Sequence, residues 1–441
     1  MQSVKSCAAA RFLRRLAVAL AVLTLAAATL SAQATADPPQ KPTPAKVEKQ
    51  ILLFPESVVL EQWPHTLKLV NAPQDLKLLN PGQCIRVGII ATGDGRDAYL
   101  EKTQLSFRVE FAGHTDSHPL APLAATKQIK PEGGDFVTAV LASANIENPL
   151  LTMASMGASA DNWCVPDGAQ DGTAIINAEV ESPGGHQKLD RAKILIESFE
   201  TGSKRSFKNE NEFDDFTMSY HYQPNPARLF PALQSFAGET QARSQAGVLE
   251  SMAASFGSAL KADPVAAKDF MARISAQTGF TRAFGLLALL NGGYDIDPAL
   301  KAMNEEDRQM FANHPVLPDP FELKPDDQNP TRLDMLWGIF TSTGELAPMQ
   351  KIASALAWRS DYDTFDKMRK SGTQIKELTP SIWRALTYGA AGWSMGSFQR
   401  TDPLAADYIE FMIASPDTPP EIKSELKGLS TNPAFRQANE K

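Results

Sequence analysis

Residues 105–111 read LSFRVEF. Leu105, Phe107, Val109 and Phe111 alternate with Ser106, Arg108 and Glu110. A period of two is the mark of a strand with one face on a core and the other in water. The same alternation recurs at Ala174, Ile176, Ala178 and Val180. Shorter apolar runs at 51–54, 84–91, 136–142 and 191–196 sit between turn clusters such as Asn80-Pro81-Gly82 and Gly133-Gly134. Several short strands with no helical stretch between them predict an antiparallel β-sandwich of the immunoglobulin-like kind over residues 51–205.

Further along, the period changes. Leu249, Met252, Phe256 and Leu260 lie at helical spacing, as do Leu333, Leu336, Trp337 and Phe340, and again Leu404, Tyr408, Phe411 and Met412. Asp263-Pro264, Asp297-Pro298, Thr379-Pro380 and Asp402-Pro403 share one signature of a helix start. In each, a side-chain oxygen can accept from the first turn, and proline follows where its missing N–H costs nothing. Residues 206–441 are therefore expected to form an all-α domain of irregular, solenoid-like helix pairs. The whole is read as an α+β multidomain chain.

The stretch Tyr220-His221-Tyr222-Gln223-Pro224-Asn225-Pro226, with Leu229 and Leu233 after it, resembles the opening of helical domains in exported bacterial proteins that have no assigned activity. Residues 333–356 are similar to a helix–turn–helix found later in such proteins. The resemblance covers the C-terminal half only. It implies an all-helical fold and supplies no catalytic residue.

Lys5, Arg11, Arg14 and Arg15 precede an apolar run from Leu16 to Leu30, which ends at Ala32-Gln33-Ala34. A run of about 15 residues is short of the ~20 that a spanning helix needs. Residues 1–34 are thus expected to be a cleavable secretory signal, and Cys7 leaves with it. Residues 35–50, with Pro38, Pro39, Pro42 and Pro44, read as an extended linker. The expected location is the periplasm or the exterior, with no transmembrane segment in the mature chain. The formal charge is −8, and the leader carries only positive charges, so the rest is more acidic still. An acidic chain without basic clusters excludes a nucleic-acid partner. Cys84 and Cys164, in an oxidising compartment, are expected to form a disulfide. Its loop would be worth about 4 kcal/mol in the chain-entropy account.

Each candidate site has a plainer reading beside it. His114, Asp116 and His118 would point the same way on an extended chain, a set zinc could accept. Gly113 and Pro119 flank them, which favours a polar loop at a strand end. The Asp/Gly loops 94–97 and 167–172 offer oxygens to calcium, but turn chemistry explains them as well. Glu210, Glu212, Asp214 and Asp215 read as a solvated acidic segment. Gly392-Trp393-Ser394-Met395-Gly396 spells a serine-hydrolase elbow, yet no histidine follows Ser394 to act as base. Its glycines read instead as places where helices pack closely.

The function expected from all this is that of an exported, non-enzymatic interaction or scaffold protein. It would need no cofactor and would bind a protein or peptide partner in the cell envelope. The alternatives are a zinc- or calcium-dependent hydrolase built on His114, Asp116 and His118, and a sugar-binding protein of envelope polymers. The latter would use Trp63 or Trp163 as an exposed stacking platform.

Overall fold

The computed structural model describes residues 48–55, 78–92, 104–120, 150–153, 163–182, 185–238, 247–305, 308–309, 317–326, 329–375, 377–431 and 435. The expected signal, most of the Pro-rich linker, Trp63 and the 94–97 loop lie outside them.

The β-rich part comes first, as the period-two runs predict. Its strands are β1 (Glu48–Pro55), β2 (Leu78–Leu79), β3 (Cys84–Thr92), β4 (Gln104–Phe111), β5 (His114–Leu120), β6 (Leu150–Met153), β7 (Trp163–Cys164), β8 (Gly172–Ser182) and β9 (Gly185–Ile196). They form two sheets. One has the order β1-β3-β6, with β7 also on β3; the other runs β2-β9-β8-β4-β5. Val109, Ala174, Ile176, Ile194 and Ile196 are buried on the second sheet, at the positions the alternation assigns to the core.

Two features depart from the expected immunoglobulin-like sandwich. The five-stranded sheet is mixed, because the short β2 pairs parallel to β9. The disulfide between Cys84 and Cys164 forms as expected. However, it joins directly opposed residues on β3 and β7, neighbours in one sheet, and not two facing sheets as the immunoglobulin bridge does. The described strands therefore define a β-rich part without an immunoglobulin-like sandwich.

The 114–118 run is a strand, not the expected loop. Ala112 and Gly113, at φ 49° and 81°, make a two-residue hairpin turn that folds β5 back on β4. As an edge strand, β5 tolerates Pro119.

Helices follow from Phe199: α1 (Phe199–Gly202), α2 (Glu210–Met218), a 3-10 turn (Pro226–Arg228), α3 (Leu229–Gly238), α4 (Val248–Ala262), α5 (Pro264–Ser275), α6 (Gly279–Asn291) and α7 (Asp297–Lys301). Then come α8 (Asn329–Thr343), α9 (Leu346–Ser354), a second 3-10 turn (Ala355–Trp358), α10 (Arg359–Lys370), α11 (Pro380–Thr401), α12 (Pro403–Ala414) and α13 (Pro420–Lys427). Three of the four expected caps form: Asp263 accepts from Ala266 N–H, Thr379 from Ile382 and Asp402 from Ala405. The fourth does not. Asp297 lies inside α7, and Asp295 accepts its N–H.

Among the described residues, two large apolar clusters hold the helices, with a small one of Ala254, Met335 and Ile339 beside them. Phe236, Phe256, Phe270 and Phe284 centre the first, among α3 to α6. Phe340, Tyr388, Tyr408 and Met395 centre the second, among α8, α9 and α11 to α13. Close packing joins them at Gly338 on α8, where a Cβ would stand 2.7 Å from the Ser251 carbonyl of α4.

From Lys46 onward the chain is one compact unit, and polar bonds wire its sheet to its helices. Asn80, fully buried, donates to the Glu197 carbonyl and accepts from Ala227 N–H on the first 3-10 turn. Gln83 donates to the Pro224 carbonyl, and Asp171 accepts from Ser198 N–H and the Thr201 hydroxyl. Gly82, at φ +84°, presses on Val265 of α5; a Cβ there would lie 2.6 Å from a valine methyl. Residues 202–215, which their polarity marks as poorly anchored, are pinned at both ends. Gly202 packs on Ala227 and Phe213 is in the core.

Candidate functional groove between α10 and α11

Helix α10 reads RSDYDTFDKMRK. Its few apolar residues, Tyr362, Phe365 and Met368, fall at i, i+3 and i+6, and charges fill the rest apart from Ser360 and Thr364. Arg359 with Asp363 and Lys370 with Asp366 are ion pairs one turn apart, at 2.9 and 2.6 Å. Such pairs support an exposed helix by a few tenths of a kcal/mol each. None of its residues is buried. Its stability comes from one side, where Tyr362 packs on Tyr388 of α11 at 5.1 Å between ring centres.

Asp361 fixes the angle between the two helices. It accepts from Arg384 of α11 at 2.7 and 3.3 Å and from the Ser381 hydroxyl. The Arg384 guanidinium holds its carboxyl below the usual range. The same end of α10 is tied again by Arg359, which donates to Tyr388 Oη and to Glu425 of α13. Tyr388 donates its own hydroxyl to Glu425, and burial with that contact pushes the phenol far up.

Beyond these ties, the rest of α10, the connection and the start of α11 line an open groove of about 470 Å³. Phe365 and Met368 line it from α10, Ile382 from α11, and Ile375 from the connection between them. Ile375 is 39 % exposed and neighbouring Leu378 is 51 % exposed. Polar groups of Asp361, Thr364, Gln374, Glu377, Thr379 and Ser381 stand among these apolar side chains, a mixture that ligand grooves share.

A second polar cluster is enclosed. His221 is buried, its Nδ1 3.0 Å from the Thr341 carbonyl and its Nε2 3.3 Å from Asp402. Tyr222 donates to Asp402 at 2.6 Å and stacks on the imidazole. Burial pushes the Asp402 carboxyl up, but the contacts with His221, Tyr222 and Ala405 N–H bring it below its ordinary value. The cluster ties the 220–222 stretch to the end of α8 and the start of α12, which is a structural role.

The residues singled out in the sequence fall as follows. His114 and Asp116 are exposed on β5; the side chain of His118 lies outside the described residues. Among the described residues, no three His, Cys, Asp or Glu side chains converge so as to hold a metal. Asp171 has both oxygens engaged by Ser198 and Thr201. Glu212 is paired with Arg228 at 2.9 Å, so the acidic run is in part a folded helix face. Trp163 is buried against Phe111 and is no exposed platform. Ser394 lies inside the 22-residue α11 and donates to the Ala391 carbonyl, which leaves no elbow. Gly392 admits the Phe435 ring, to which a Cβ would come within 1.9 Å, so this glycine is a packing residue.

No protein-family model, curated protein or solved structure matches the chain. No helix among the described residues is long and apolar enough to cross a membrane.

Proposed function

We propose that this is an exported, non-enzymatic interaction protein of the periplasm or cell envelope, and that it takes a protein or peptide partner into the groove between α10 and α11. The irregular, solenoid-like helix pairs are the scaffold of that surface. The observation that carries the reading is α10 itself. It is an amphipathic helix with no buried residue, and its apolar stripe opens into a groove lined by exposed Ile375, with exposed Leu378 close by in the chain. Apolar side chains left uncovered around a concavity mark interaction sites more often than chance.

The test places a photoreactive benzoylphenylalanine at Leu378 in the exported protein. Illumination in intact cells should yield a discrete adduct with an envelope protein, and Phe365→Asp on the groove wall should abolish it. Absence of any adduct, or an adduct indifferent to Phe365→Asp, would count against the proposal.

A further inference from the structure

The contact between sheet and helices contains a carboxylate whose surroundings suit its neutral form. Asp263 caps α5 with one oxygen, which accepts from Ala266 N–H at 2.9 Å. Val265 N–H also acts on the carboxyl, but its other oxygen, Oδ2, is buried with no hydrogen bond of its own. Two residues on, Val265 is the side chain pressed against Gly82 of the β-rich part. Asp167, in the loop between β7 and β8, adds a like charge from the same side. Tyr220, ahead of the first 3-10 turn, and Tyr294, after α6, are the other titratable groups that feel Asp263. Lys261 and Lys268 on the flanking helices are exposed.

We propose that Asp263 is a proton-operated latch: protonated, it lets α5 seat against Gly82 and the 165–171 loop, and ionised, it loosens that seat. An ionised oxygen that is buried without a hydrogen bond of its own is costly, and water must reach it or the contact must open to relieve it. Burial, with a smaller contribution from Asp167, raises the carboxyl from 3.8 to about 6, against the opposing pull of the cap bonds.

The sign follows from linkage. Below about pH 4 both folded and unfolded chains hold this proton, and the seat is at full strength. Between 3.8 and about 6 only the folded chain holds it, so stability falls as the pH rises. Above the folded value the loss is complete. A two-unit gap limits the fall in the folding constant to about 100-fold.

Hydrogen-exchange mass spectrometry on the full chain, at pH 5 and 7.5 with intrinsic rates corrected, reads the latch directly. Segments 78–84, 163–171 and 263–267 should lose protection at the higher pH by about 10-fold, the part of that fall that lies above pH 5. Asp263→Asn keeps a capping oxygen and should hold the pH 5 protection at both values. Asp167→Asn, which leaves the cap alone and serves if Asp263→Asn folds poorly, should move the transition to lower pH. Protection that ignores pH in the parent chain would overturn the latch. So would a pH response that survives unchanged in Asp263→Asn, or a midpoint that Asp167→Asn does not move.

Discussion

Asn80 shows how much one side chain can hold. Its amide bridges the end of β9 to the first 3-10 turn with no exposure to water. Asn80→Ala strands the Ala227 N–H and the Glu197 carbonyl in a buried site, so a loss of about 2–4 kcal/mol is expected in urea unfolding. A change under 1 kcal/mol would mean that the joint is not dry. Gly392 makes a different case. Alanine there gains helix propensity but drives a methyl into the Phe435 ring, and overpacking of that kind costs about 1–3 kcal/mol. Gly392→Ala should therefore destabilise despite its better propensity; stabilisation would show that the ring moves freely. Ala112 is the converse. At φ 49° it holds a left-handed turn that glycine fills without strain, so Ala112→Gly should stabilise by up to about 1 kcal/mol. A loss in the same assay would contradict that. Only the third of these could have been suspected from the sequence, through the Ala-Gly pair between two strands. The first two depend on partners more than 40 residues away.

At the scale of elements, legibility followed the range of the interaction. LSFRVEF was readable as a strand because alternation is local, and it pairs as β4. The helix starts at Asp263, Thr379 and Asp402 were readable because a cap needs three residues. Asp297 failed because the helix starts one residue early: Ile296 takes the cap position and Asp297 is the first helical residue. The 114–118 run was misjudged because its flanking Gly113 is the second turn residue of a hairpin, which closes only when β4 is there to pair with. The groove left no local signal. Phe365 and Met368 look like an ordinary core stripe, and only the Asp361–Arg384 tie across the α10–α11 connection shows that the stripe is half covered. Arg384→Ala should therefore disturb the groove and little else. With Asp361 left facing the helix start alone, α10 should become protease-sensitive while the midpoint of global unfolding moves by less than about 1 kcal/mol. A large global loss would show that α10 is part of the core.

For the whole molecule, composition and period set a β-rich part ahead of a helical part, and the structure agrees. Two parts that folded independently would give two melting transitions. Contacts across the junction point to one transition: Asn80, Gln83, Asp171 and Gly82 all bind across it, and Gly202 and Phe213 anchor residues 202–215. Cys84 and Cys164 stand beside that junction, next to Gln83 and Val165, whose backbones pair there. Loss of the disulfide should then weaken sheet and helices together, by up to about 4 kcal/mol in the chain-entropy account. Calorimetry of the oxidised and reduced chain tests this wiring most directly. One cooperative transition that shifts downward as a whole on reduction is the expected result. Two transitions, of which reduction lowers one and spares the other, would contradict it.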